Sequence, residues 1–228
     1  MHLENVIWEA LTTRQTCFAE SCNSARRFLR EVTALCAFER PDDHGYASLA
    51  DLTGAGGTAA IFLNRPYERH DGWEYVVGAP LLQMVCENGV AKSDRKTSPA
   101  VIVELGTSDS PEMLELTALT KPGPFGPRTH ELGYYVGIRD NGQLVAMAGE
   151  RLKVPGYTEV SAVCTHPDHL GKGYAAALMT EVMRGIRDRG EIPFLHVRSD
   201  NSRAIAIYER LGFRTAWKGH FAVLRKTP

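Results

Sequence analysis

The 228-residue sequence predicts an α/β protein: a mixed, mostly antiparallel sheet flanked by helices, preceded by an N-terminal α/β extension. Three observations carry this. Residues 133–165 hold three β-branched, apolar runs separated by two tight-turn signals. Residues 174–211 hold two segments with apolar side chains at helical spacing, with a short apolar run between them. The composition, 43% hydrophobic and 23% charged, is that of a packed chain rather than a disordered or low-complexity one.

The first part of the chain is the less regular. Residues 10–20 and 47–52 read as short helices, and 58–63, 73–77 and 100–105 as strands. Ser110 followed by Pro111 is a helix start, a capping serine with proline at the first helical position. The segment 121–127 (KPGPFGP) holds three prolines and two glycines, so a boundary or crossing loop is placed there. The expected division is therefore 1–120 and 121–228.

The second part is clearer. Runs at 133–139 and 143–151 flank Asp140, Asn141 and Gly142, a strong hairpin signal because Asn-Gly tolerates positive φ. Pro155-Gly156 turns into a third strand at 158–165. A polar, glycine-bearing loop follows and opens a helix with Leu178, Met179, Val182, Met183 and Ile186 on one face. Gly190 ends it. Residues 193–197 read as a buried strand, 201–211 as a second helix ending at Gly212, and 221–224 as a last strand. The order is β-β-β-α-β-α-β.

Charge and cysteine content narrow the function classes. Residues 1–120 hold 10 Lys+Arg and 17 Asp+Glu, net −7; residues 121–228 hold 16 and 10, net +6. A basic half suits an anionic partner, either a phosphorylated cofactor or nucleic acid. No aromatic-basic interleaving or helix-turn-helix pattern supports nucleic acid, so none is expected. The uncharged apolar run at residues 75–86 falls short of the about 20 apolar residues a bilayer requires. Residues 1–11 carry Glu4 and Glu9 and no basic n-region, so neither a signal peptide nor a membrane partner is expected. The five cysteines form no CxxC pair and no Cys/His cluster at zinc spacing, so no metal is expected and the thiols fit a reducing cytoplasm.

The loop Leu170, Gly171, Lys172, Gly173, Tyr174, Ala175 joins a strand to a helix N-terminus. Glycines there let a ligand approach the backbone, and unpaired N–H groups at the positive end of the helix dipole suit a pyrophosphate. No Gly-Lys-Ser/Thr follows, so it is not a Walker loop. A second segment then carries Asn201, Ala204, Tyr208 and Leu211-Gly212-Phe213. Together, over roughly residues 130–226, the two segments resemble the GNAT superfamily of acyl-CoA-dependent N-acyltransferases, and in their Leu-His-Val segment the glycine N-acyltransferase-like branch. Leu170 departs from the pattern, standing where the family has glutamine or arginine.

The resemblance implies acetyl-CoA as donor, direct transfer in a ternary complex, and a small-molecule amine or amino-acid-like acceptor. It implies a pyrophosphate held by Leu170 to Ala175 and pantetheine amides paired with the main chain of Val163, Cys164 and Thr165. Asn201 would hydrogen-bond the pantetheine, cap the helix or do both, Ala204 would also contact the cofactor, and Tyr208 would protonate the leaving thiolate. Glu159, eleven residues before Leu170, stands at the spacing of the general base in histone-acetylating members. By strand alternation Glu159, Ser161, Val163 and Thr165 should share one face. His166, His169 and His196 read first as turn or core residues, and Cys164 lacks a histidine-acid partner set for nucleophilic catalysis. Relatives often dimerise, so a homodimer is an implied partner state. The N-terminal part would shape the acceptor pocket, and it could be a degenerate second copy of the fold, although no motif in it says so. The rival reading is a CoA-binding or scaffolding module without turnover.

Overall fold

Apolar residues at Val6, Ile7, Ala10 and Leu11 recur at helical spacing and begin the fold. In the computed structural model, which describes residues 3–87 and 100–228, they form α1 (Val6–Thr12). The helix stops where the Thr12 and Thr13 hydroxyls donate back to the Trp8 and Glu9 carbonyls. The helix expected over 10–20 therefore lies earlier. Its second half is a 3₁₀ turn, Thr16–Phe18, running into β1 (Ala19–Cys22). With β2 (Ala25–Phe28) and β3 (Cys36–Phe38) this makes a three-stranded antiparallel sheet that the sequence pattern does not reveal.

Helix α2 (Asp43–Thr53) starts at Asp42, whose carboxylate accepts from the Gly45 N–H at 2.9 Å. Then come β4 (Thr58–Leu63), β5 (Trp73–Val85), β6 (Ile102–Leu105) and α3 (Ser110–Thr120). After the proline-rich segment lie β7 (Tyr135–Asp140), β8 (Gln143–Val154), β9 (Tyr157–Thr165), α4 (Tyr174–Asp188), β10 (Ile192–Arg198), α5 (Ser202–Arg210) and β11 (Arg214–Lys226). The β-β-β-α-β-α-β order stands. Asn141 (φ 50°) and Gly142 (φ 85°) form the β7–β8 hairpin turn, as the dipeptide requires.

The main sheet has eight strands in the order β4-β11-β5-β10-β9-β8-β7-β6. All pairs are antiparallel except β9–β10. β5, from the N-terminal part, lies between β10 and β11, so both parts of the chain share this sheet. That placement explains why β5 runs well past residue 77 and why the last strand starts before residue 221. Each finds a backbone partner along its whole length. The proline-rich segment is a crossing loop tied to the N-terminal part, with Arg128 N donating to Glu31 O at 2.9 Å and Thr129 Oγ1 donating to Val32 O.

Helices cover both faces. The apolar stripe of α4 (Leu178, Met179, Val182, Met183, Ile186) packs with α5 against Val136, Ala148, Val160, Leu195 and Val197. Each such side chain, fully buried, contributes about 1.5–3 kcal/mol. On the opposite face α1 meets Leu152, Val85 and Phe194, while α3 meets Tyr135, Met147 and Cys164. No helix among the described residues is long and apolar enough to cross a membrane.

Candidate active site

Parallel β9 and β10 pair over only three rungs, Ile192↔Tyr157, Pro193↔Thr158 and Phe194↔Glu159. Beyond Glu159 they diverge. β9 stays with β8 up to Ala146↔Thr165, and β10 stays with β5 up to Arg198↔Leu81. The separation leaves a wedge-shaped cleft between residues 160–165 and 195–198, in the plane of the sheet.

A β-bulge shapes one wall. Ser161 pairs with Gly149 and Cys164 with Met147, so β9 has one extra residue there, and Ala162 sits at φ 53°. A left-handed non-glycine residue costs roughly 1–2 kcal/mol; such strain persists where the surroundings impose it. The extra residue reverses the alternation. Glu159 and Ser161 therefore do not share a face with Val163 and Thr165, contrary to the simple period of two. Val163 joins Val160 in the core beneath α4, whereas Cys164 lies on the α3 side.

The His166 N–H donates to Val145 O at 2.7 Å. By alternation the peptide groups of Val163 and Thr165 then point away from β8 into the cleft, and those of Cys164 point to β8. Burial pushes the Cys164 thiol up to about 11, a state unsuited to a nucleophile.

The loop after β9 forms the mouth. Gly171 (φ 82°) and Gly173 (φ 80°) are both left-handed, and Gly173 is the N-cap of α4. The helix ladder begins with Ala177 N donating to Gly173 O at 3.1 Å, so the N–H groups of residues 171–176 precede it at the dipole's positive end. Leu170 is half exposed, and its own N–H turns inward to Pro167 O at 3.3 Å. Lys172 Nζ stands 3.1 Å from His169 Nδ1 and 5.8 Å above the Tyr174 ring.

Across the cleft, the Asn201 side chain caps α5 by accepting from Ala204 N at 3.1 Å. Ala204 and Tyr208 pack on the core that α4 completes. Burial pushes the Tyr208 phenol up to about 12, so it stays a proton donor through the neutral range.

Glu159 stands at the apex of the wedge, fully buried. Its carboxylate accepts two hydrogen bonds from Arg151 (2.8 and 2.7 Å), one from Leu152 N (3.3 Å) and one from His196 Nδ1 (2.6 Å). Burial pushes the Glu159 carboxyl up, but the Arg151 charge and these bonds outweigh it and hold the pKa at about 2. His196 Nε2 in turn lies 3.0 Å from Gln83 Nε2, which also donates to Leu3 O at 3.0 Å. Since a carboxylate only accepts and an amide nitrogen only donates, these contacts assign the donor hydrogen to His196 Nδ1 and the acceptor role to Nε2. Gln83 Oε1 is buried with no hydrogen-bond partner.

This Arg151–Glu159–His196–Gln83 chain crosses strands β8, β9, β10 and β5. Arg151 and Gln83 were not legible as site residues. A charge inside an apolar strand run was the one signal for Arg151, and its partner depends on a register set by bulges.

Comparison with known proteins bears on the family and the fold. A family model described as FR47-like protein matches residues 135–222. The N-alpha-acetyltransferase RimI of Mycobacterium tuberculosis is 33% identical over 129 residues, which is 52% of this chain and 80% of that protein. A mycothiol acetyltransferase of Saccharomonospora viridis is 45% identical over 58 residues, 25% of this chain and 19% of its own length. Among solved structures, a GNAT-family acetyltransferase from Novosphingobium aromaticivorans is 35% identical, covers 99% of both chains and superposes with a TM-score of 0.89. A GCN5-related N-acetyltransferase from Kribbella flavida, 17% identical, shares the fold over 100% of this chain and 97% of its own with a TM-score of 0.66. The glycine N-acyltransferase-like branch is not shown by these relatives. The wedge between β9 and β10, the glycine loop at its mouth and these relatives together make the chain a member of the GNAT family of acetyltransferases.

Proposed function

We propose that this protein transfers an acetyl group from acetyl-CoA to a primary amine of a small-molecule or amino-acid-like acceptor, directly, in a ternary complex. The observation that carries the reading is the wedge that opens at the Glu159↔Phe194 rung with a left-handed glycine loop at its mouth. The pyrophosphate would lie on the N–H groups of residues 171–176, with Lys172 adding charge and Tyr174 and Ala175 opening the helix beneath it. Pantetheine amides would pair with Val163 and Thr165 as an added strand, and Asn201 and Ala204 would line the other side.

The amine nitrogen attacks the thioester carbonyl, the C–S bond breaks, and the thiolate takes its proton from Tyr208. The amine's proton passes to the Glu159–His196 pair. His196 Nε2, which lies 3.0 Å from Gln83 Nε2, is the atom proposed to take it. Glu159 is too tightly held by Arg151 to be a strong base itself, so its role is to fix the histidine tautomer and stabilise its charge. Five cysteines with no CxxC pair fit a reducing compartment, and we infer a cytoplasmic location.

Two measurements test this. Titration with acetyl-CoA should raise Tm, the stabilisation reaching about 2.7 kcal/mol at a hundred times Kd, while ATP should give none. Absence of any shift would favour a scaffold without turnover. Replacing Gly173 by valine forces a β-branched residue into the left-handed region and should weaken acetyl-CoA about tenfold by calorimetry, the equivalent of about 1.4 kcal/mol. Unchanged affinity would remove the loop from the site.

A further inference from the structure

β5 and β11 run on together past the last rung that β10 makes with β5, Arg198↔Leu81. Three rungs of that extension, Gly78↔Ala222, Ala79↔Phe221 and Pro80↔His220, form the floor of a cavity of about 790 Å³. No side chain can rise from the floor at Gly78. A Cβ there would collide with the Phe221 carbonyl and stand 2.6 Å from the Tyr75 hydroxyl.

The walls are aromatic and already fixed. Trp73 Nε1 donates to Tyr46 O at 3.2 Å, and the Tyr46 ring stacks on His70 with centroids 3.6 Å apart. The His70 N–H donates in turn to the Tyr67 hydroxyl at 3.1 Å. The Tyr67 and Tyr75 rings then lie nearly parallel, at 13°, with centroids 5.8 Å apart. A ligand between such walls has little side-chain ordering to overcome. Tyr75 stays 51% exposed, which leaves ring surface open to stacking.

Charge narrows the class of ligand. Arg69 and Glu74 both line the cavity. Glu74 is paired with Arg225 at 3.3 Å, whereas Arg69 has no ion pair among the described residues. A free guanidinium repels a cation, attracts an anion and stacks on aromatic planes.

We infer that this cavity binds a small planar aromatic anion, its ring against Tyr75 and Trp73 and its acidic group toward Arg69. The site is separate from the transfer wedge: no residue of 159–176 or 196–208 lines it. The inference therefore goes beyond acetyl transfer and does not depend on it. An aliphatic anion would meet Arg69 without using the rings, and an aromatic cation would use the rings against the charge of Arg69.

The test uses the full chain and the probe 2-naphthoate, followed by quenching of tryptophan fluorescence and by calorimetry. Its comparisons are the neutral 2-naphthamide, the cationic 2-naphthylmethylamine and the aliphatic anion cyclohexanecarboxylate. 2-Naphthoate should bind at one saturable site with Kd below about 1 mM, and about tenfold or more tighter than the amine or the aliphatic acid. Arg69→Gln should bring 2-naphthoate to the affinity of 2-naphthamide and leave 2-naphthamide unchanged. Tyr75→Ala should weaken both naphthyl compounds alike, by about fivefold or more. Both side chains are exposed, so an unchanged Tm should confirm that each variant folds. Saturating acetyl-CoA should leave the affinity for 2-naphthoate within about twofold. Absence of saturable binding, a preference for the anion that survives Arg69→Gln, or equal binding of cyclohexanecarboxylate would each overturn the inference. Displacement of 2-naphthoate by acetyl-CoA would overturn it too, and would assign the cavity to the donor.

Discussion

Replacing Arg151 with methionine is expected to destabilise the fold by about 3–5 kcal/mol, because it strands the Glu159 carboxylate in a site with no access to water. At about 2–4 °C per kcal/mol for a chain of this size, Tm should fall by roughly 6–20 °C. Arg151→Met with Glu159→Gln removes both charges and should recover a good part of the loss, as a double-mutant cycle in urea would show. A single-mutant cost below about 1 kcal/mol would mean that solvent reaches the carboxylate.

The same pair makes stability depend on acid. The folded carboxyl, held near 2, lies below its ordinary value of 4.5, so its contribution is present above about pH 4.5 and is lost as pH falls toward 2. The size is about 3 kcal/mol, from a difference of about 2.5 pH units at 1.36 kcal/mol each. In Arg151→Met this loss on acidification should vanish. Unfolding curves from pH 5 down to about 2.5 would show a parallel fall in both proteins if Glu159 were not responsible.

Tyr208→Phe should lower kcat by about 10²- to 10⁴-fold while leaving the KM for acetyl-CoA within about threefold, since a general acid contributes in the transition state and not to donor binding. The phenol is pushed up to about 12, so Tyr208 remains protonated across the assay range and should produce no alkaline fall in rate below about pH 11. Release of the CoA thiol, followed with a thiol reagent, reads both quantities. A kcat retained within threefold would mean that the thiolate leaves without help from this side chain.

Much of the local structure on the proposed cofactor side was legible in the chain itself. The glycines of the loop, the helix they open and the Asn201–Tyr208 segment are short-range features, and local backbone physics fixes them wherever the rest of the protein goes. The hairpin at Asn141-Gly142 and the stripe on α4 are local in the same sense. The small β1–β2–β3 sheet was not legible. Its strands are three or four residues long and mix charged with apolar side chains, so their partners rather than their propensities make them strands.

Two facts that bear most on chemistry came only from the tertiary structure. The bulge at Ala162 turned Val163 and Thr165 to the other face from Glu159, and a period-two reading cannot anticipate an extra residue that the partner strand imposes. Glu159 stood out as a candidate base from its position alone, but its environment is set by residues on three other strands. One of them, Gln83, is 76 positions away in a strand inserted between β10 and β11. The sequence by itself determined the glycine loop and helix start proposed to hold the pyrophosphate, because a dipole, two glycines and free N–H groups are properties of adjacent residues. The tertiary structure decided how Glu159 is paired and where the β9–β10 wedge opens, because charge pairing and strand pairing join residues far apart in the chain.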